Sequence, residues 1–156
     1  MNHNILFVED NPHKRARIIE FIKSTFPQIE IFEAHSFSSG CQAIEKNDFS
    51  IILLDISMPT YDRVGNESGG KFRPFAGREI ARKIMRSDKK SLVIFITQYN
   101  SFSDKGNSYS LEGLGEILLS ESKQNYGGLV FYDSALSSWK NEIRKIIETK
   151  YENFNC

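Results

Sequence analysis

The chain has 156 residues, in which 20 lysines and arginines balance 20 aspartates and glutamates. This length predicts one domain over residues 1–156 with a real core, and the zero net charge excludes a global field that would draw the protein onto nucleic acid or an anionic membrane. No apolar stretch approaches the roughly 18 residues of a membrane span, and Met1-Asn2-His3-Asn4 lacks the charged and apolar regions of a signal peptide, so a cytoplasmic protein without direct membrane contact is expected.

The first apolar run, Ile5-Leu6-Phe7-Val8, reads as a buried strand and runs straight into Glu9-Asp10. Asn11 and Pro12 suit the cap and first turn of a helix over 12–26, with Ile18, Ile19 and Ile22 on one face. A second strand over 29–34 precedes a helix over 37–46 carrying Phe37, Cys41 and Ile44. The third strand, Ile51-Ile52-Leu53-Leu54, ends in Asp55-Ile56-Ser57-Met58-Pro59. A helix over 76–87 carries Ile80, Ala81, Ile84 and Met85, and the fourth strand, 92–96, ends in Thr97. A helix over 110–121 follows with Leu111, Leu114, Leu118 and Leu119. The last pair is a strand over 128–132 and a helix over 134–150 with Leu136, Trp139, Ile143, Ile146 and Ile147.

Most of these strand runs lack polar alternation, which is the pattern of central parallel strands covered on both faces. Right-handed crossovers then give an α/β, doubly wound, five-stranded parallel sheet flanked by five helices, with its site at the carboxyl ends of the strands. Two connections, 60–74 and 98–109, exceed the roughly six residues usual in such units. They read either as surface insertions or as lids and docking surfaces, since both spring from the edge that holds the acids. The first holds Gly65, Gly69, Gly70, Lys71 and Arg73, a mobile and locally basic segment. Cys41 and Cys156 are expected as free thiols, and His3, His13 and His35 share no zinc-ligand spacing.

Glu9, Asp10 and Asp55 at one sheet edge offer hard oxygen ligands for Mg²⁺, with a backbone carbonyl near Ser57 as a further ligand. An aspartate beside such a metal can attack phosphorus and form an acyl phosphate. Thr97 could then donate its hydroxyl to a phosphoryl oxygen.

These motifs, Val8-Glu9-Asp10-Asn11, Leu53-Leu54-Asp55-Ile56-Ser57-Met58-Pro59 and Ile94-Phe95-Ile96-Thr97, resemble the receiver domain of bacterial two-component response regulators, in the flavodoxin-like architecture. The resemblance covers nearly the whole chain apart from the two long loops. It implies that Asp55 accepts a phosphoryl group from a phosphohistidine on a sensor histidine kinase or phosphotransfer protein. Glu9, Asp10 and Asp55 would hold Mg²⁺, and Thr97 would act as the switch residue. The implied role is signalling through protein contacts, with no enzymatic activity beyond self-phosphorylation and self-dephosphorylation. Output would pass to a separate downstream protein docking around the fourth helix, fifth strand and fifth helix.

Receivers normally end the fifth strand with a lysine whose ammonium pairs with the phosphoryl group. Here Tyr132-Asp133 stands there, and no lysine lies between Gln124 and Trp139. A tyrosine donates one hydrogen bond and carries no positive charge. Lys71, Arg73 and Lys105 on the long loops are the candidate substitutes; the alternative is a phosphorylation-independent pseudo-receiver acting as an interaction module. The aromatic switch partner three positions earlier is replaced by Leu129.

Other phosphate-binding schemes fit less well. Gly65-Asn66-Glu67-Ser68-Gly69-Gly70-Lys71 begins like a P-loop, but Phe72 replaces the metal-binding hydroxyl and Pro74 blocks helix entry. A flavin phosphate would be repelled by Glu9-Asp10. An aspartyl phosphatase would need a second acid where Ser57 stands. Lys140, Arg144, Lys145 and Lys150 on the last helix read as a solvated face, so no direct nucleic-acid contact is expected.

Overall fold

A computed structural model describes residues 3–152; Cys156, expected as a free thiol, lies outside them. The central sheet is parallel and five-stranded, in the order β2 (Glu30–Ala34), β1 (Asn4–Val8), β3 (Ile51–Asp55), β6 (Leu92–Thr97) and β9 (Tyr126–Phe131). Five helices flank it among the described residues: α1 (Pro12–Thr25), α2 (Phe37–Lys46), α3 (Ala76–Arg86), α4 (Leu111–Glu121) and α5 (Ser138–Glu152).

Strand periodicity divides the core into two layers. Leu6, Val8, Ile52, Leu54, Val93 and Phe95 face a layer that includes residues of α2, α3 and α4. Ile5, Phe7, Ile51, Leu53, Ile94 and Ile96 face the other, closed by Ile18 and Ile22 of α1 and by Trp139, Ile143 and Ile147 of α5. With both faces covered, β1, β3 and β6 are continuous apolar runs and almost wholly buried.

The expectation of central strands fails for the second strand. β2 forms one edge of the sheet, and Phe32 is exposed there. β9 forms the other edge and carries a register irregularity where Tyr126 pairs with Val93 but Gly128 pairs with Ile94. The final helix starts at Ser138, later than the apolar spacing suggested; Leu136 precedes it and is exposed.

Neither long connection is a structureless loop. The first is closed by a short antiparallel pair, β4 (Met58–Pro59) with β5 (Phe72–Arg73), extended by Thr60 N–H to Lys71 O and Tyr61 N–H to Gly69 O. Gly69 has φ +87°, and a Cβ there would lie 2.4 Å from Tyr61 O, so glycine alone fits this turn. The second is a hairpin of β7 (Ser101–Asp104) and β8 (Asn107–Ser110), turning at Lys105 and Gly106 with positive φ. Phe102 and Tyr109 bring it against Phe75, so this insertion packs on the α2, α3 and α4 layer.

Candidate functional site

Alternation past the ends of the strands sets the direction of the acids. Glu9 continues the Ile5, Phe7 series and Asp55 the Ile51, Leu53 series, so both belong to the α1 side of the sheet. Val8 pairs with Leu54, which sets Glu9 and Asp55 at the same level on neighbouring strands. One carboxylate oxygen from each of Glu9, Asp10 and Asp55 lies within 4.8 Å of the other two. Glu9 is fully buried and Asp55 is 5% exposed.

The helix that covers this face delivers a cation. Asn11 caps α1, its Oδ1 accepting from His13 N–H at 3.0 Å and Lys14 N–H at 3.2 Å. Lys14, Ile18 and Ile22 form the buried stripe of the helix, so Lys14 heads the apolar face and is 2% exposed. Its Nζ lies 2.5 Å from Glu9 Oε1 and donates to Asp55 Oδ1 at 3.2 Å and Ile96 O at 3.3 Å. An isolated ammonium could not stay buried so close to a helix N-terminus; paired with two carboxylates it can.

The contact with Glu9 is a short, buried ion pair. Burial, reinforced by Asp55 and opposed by Lys14, raises the Glu9 pKa from 4.5 to about 8. Burial works against the Lys14 ammonium, but Asp55 and Glu9 outweigh it and its pKa is raised. The two upward shifts compete, since Lys14 is held by carboxylates while Glu9 resists being one. We conclude that the ammonium persists, held by two carboxylates, and that burial beside a second carboxylate is what makes Glu9 resist ionisation. Asp10 is also raised, by burial and by Glu9, against Arg63, whose Nη2 reaches Asp10 Oδ2 at 3.3 Å from the first insertion.

Two backbone features hold Asp55 in place. Ile56 N–H donates to Asp55 Oδ1 at 2.8 Å, and Gly77 N–H at the start of α3 donates to Ile56 O at 2.9 Å. A Cβ on Gly77 would lie 2.2 Å from Asp55 O, so α3 approaches the strand end as closely as it does only through glycine. Thr97 is fully buried at the end of β6; its Oγ1 accepts from Tyr99 N–H at 3.1 Å, which leaves its hydroxyl hydrogen free to donate elsewhere. Ser57 follows on the same edge and is half-buried.

A family model for the response regulator receiver domain matches residues 5–125. The chain belongs to the response regulator receiver family. An uncharacterised protein, y4jR of Sinorhizobium fredii, is 29% identical over 140 residues, spanning 89% of this chain and 93% of its own length. The Detocs response regulatory protein DtcB of Enterobacter cloacae is 28% identical over 147 residues, spanning 92% and 98%. Among solved structures, the response regulator TrrA of Thermotoga maritima, in complex with Mg²⁺-BeF, shares the fold with TM-score 0.62 at 18% identity, covering 94% of this chain and 99% of that one. The strand order is that of the flavodoxin-like receiver fold. Receivers are in general signalling proteins that contact kinases and effectors rather than enzymes, and among the described residues no helix is long and apolar enough to cross a membrane.

The receiver residues named from sequence come together in part. Glu9, Asp10 and Asp55 converge into an acidic cluster, and receiver domains bind Mg²⁺ at an acidic pocket. Three carboxylates that can each offer one oxygen within 4.8 Å of the others suit a hard divalent cation. Tyr132 is buried beyond the end of β9, its N–H donating to Thr97 O at 2.7 Å and its ring packed on Trp139 at 5.1 Å between centroids.

The three loop cations do not come to the acids. Arg73 pairs with Glu79 at 3.3 Å and lies over the Phe37 ring at 4.0 Å. Lys71 and Lys105 border a separate groove with Arg78 and Arg82, because both insertions fold as hairpins toward α3. Among the described residues, the cations that do reach the acids are Lys14 and Arg63. Lys14 had a sequence signal: it stands four residues before Ile18 on the stripe that runs on to Ile22.

Proposed function

We propose that this receiver carries a phosphoryl group on Asp55, donated by a phosphohistidine of a sensor kinase or phosphotransfer protein, and signals from the cytoplasm through contacts with a downstream protein. The observation that carries this reading is the burial of Asp55 within reach of Glu9 and Asp10 on one sheet edge. Glu9, Asp10, Asp55 and the Ser57 carbonyl would hold Mg²⁺, which when bound offsets repulsion between the carboxylate and the incoming anion.

Asp55 attacks phosphorus in line. The new bond joins a carboxylate oxygen to phosphorus, the phosphorus–nitrogen bond of phosphohistidine breaks, and the imidazole nitrogen leaves with the electron pair. Thr97, whose hydroxyl hydrogen is free, donates to the new anion. That bond would shift β6 and the segment after it, and so the surface of α4, β9 and α5 where a partner would dock.

A second reading, an interaction module that works without phosphate, is favoured by Tyr132 filling the place of the usual lysine. Intact mass after incubation with a small phosphodonor and Mg²⁺ separates the two. The first expects a gain of one phosphate in the wild type and none in Asp55→Asn. No gain in the wild type from either a small donor or a cognate kinase would favour the second.

A further inference from the structure

We propose that Lys14 supplies from α1 the ammonium that pairs with the phosphoryl group on Asp55, in place of a lysine at the end of the last strand. This rests on Asp55 being the phosphoacceptor. A receiver needs positive charge beside the acceptor that is independent of the metal, because the transferred group spreads charge over three oxygens and one divalent ion cannot face them all.

Three observations assign that charge to Lys14. Its Nζ is already hydrogen-bonded to Asp55 Oδ1 at 3.2 Å, on the carboxylate that would receive the phosphoryl group. It is held there by Ile96 O at 3.3 Å, the backbone carbonyl of the residue that pairs with Asp55 across the β3–β6 ladder and precedes Thr97. Its stem leaves α1 at the head of the Ile18, Ile22 stripe, which fixes its direction toward the sheet.

The β9 side has no competitor. Tyr132 is turned into the α1 and α5 layer against Trp139. A cavity of about 510 Å³, bordered by Lys14, Arg17, Tyr99, Tyr132 and Asp133, lies between the end of β9 and α1. A lysine at position 132 would have this space to extend through. Lys14 and Tyr132 therefore border one cavity, Lys14 from α1 and Tyr132 from beyond the end of the last strand.

The alternative role for Lys14 is neutralisation of Glu9 and Asp55 in place of a metal, with no part in handling phosphate. The two roles separate in a comparison of wild type, Lys14→Ala, Lys14→Ala combined with Tyr132→Lys, and Asp55→Asn. Phosphorylation by phosphoramidate with Mg²⁺ is followed by intact mass, and Mg²⁺ affinity is measured by calorimetry. The assignment expects Lys14→Ala to slow phosphorylation by about 100-fold while binding Mg²⁺ at least as tightly as the wild type, which also reports that it is folded. Tyr132→Lys should restore most of the lost rate.

Lys14→Ala modified at the wild-type rate, with Mg²⁺ affinity raised, would assign Lys14 to charge neutralisation alone and overturn the proposal. So would a double variant as slow as Lys14→Ala, or a Lys14→Ala protein that no longer binds Mg²⁺. A wild type that is never modified while the double variant is would leave Asp55 competent and remove Lys14 from its role. No modification in any protein would overturn the reading of Asp55 itself, and this assignment with it.

Discussion

The two halves of the acidic edge are built by different means. On the β1 and β3 side, charge is dense and buried, and backbone contacts fix it: Glu9, Asp55 and Lys14 interlock, and Gly77 admits α3 against Asp55. On the β9 side the strand is irregular, half-buried and an edge, and an aromatic ring occupies the position where charge is usual. Positive charge therefore reaches the acids from α1, through Lys14, and not from the end of β9, where Tyr132 packs on Trp139.

The sharpest way to break this contrast is at Gly77. Alanine there would gain up to about 1 kcal/mol of helix propensity, but its Cβ would meet Asp55 O at 2.2 Å, backbone that has no rotamer to yield. Gly77→Ala should therefore destabilise the protein by about 3 kcal/mol, measured by urea unfolding, and weaken Mg²⁺ binding. A variant as stable as the wild type would show that the acid half is softer than its packing implies.

The next effect is one of pH. Glu9 has a folded pKa raised from 4.5 to about 8 by burial and Asp55, so between those values the folded protein binds more protons than the unfolded chain. Without divalent cation, stability should fall as pH rises from about 4.5 to about 8, by a few kcal/mol at most, and level off above. Mg²⁺ favours the carboxylate, so its stabilising effect should grow over the same interval. Thermal melts at pH 5 and pH 8, with Mg²⁺ or a chelator, check this. Glu9→Gln, neutral throughout, should flatten the chelator profile and lose most of the Mg²⁺ response; a wild type insensitive to both pH and Mg²⁺ would remove Glu9 from the site.

Much of this was legible in the sequence because the strongest signals are local. Buried strands announce themselves as apolar runs, and the acids sit at their ends, so Glu9, Asp10 and Asp55 could be placed at one edge of a parallel sheet from Ile5-Leu6-Phe7-Val8 and Ile51-Ile52-Leu53-Leu54. Lys14 was hidden because a lysine on a helix is usually solvated; only its place four residues before Ile18 marks it as inward-facing. Lys71, Arg73 and Lys105 looked nearer because their loops spring from the acidic edge. Hairpin pairing, which depends on residues as far apart as Met58 and Arg73, carries them away toward α3. Gly77 is silent in sequence, since its need arises from the approach of α3 to Asp55 in space.

The smallest expected effect tests the other half of the contrast. If Tyr132 serves as a packing group, its value lies in the ring against Trp139 at 5.1 Å, and its hydroxyl, which has no hydrogen-bond partner among the described residues, contributes little. Tyr132→Phe should change stability by no more than about 0.5 kcal/mol and leave phosphorylation of Asp55 at the wild-type rate, whereas Tyr132→Ala should cost about 3 kcal/mol through the lost ring. Both are read by unfolding curves and by intact mass after treatment with phosphoramidate and Mg²⁺. A phenylalanine variant that folds normally but takes up phosphate many times more slowly would make the phenol a donor to the phosphoryl group. The β9 side would then supply a hydrogen bond where it supplies no charge, and the two halves would differ in the strength of their contribution rather than in kind.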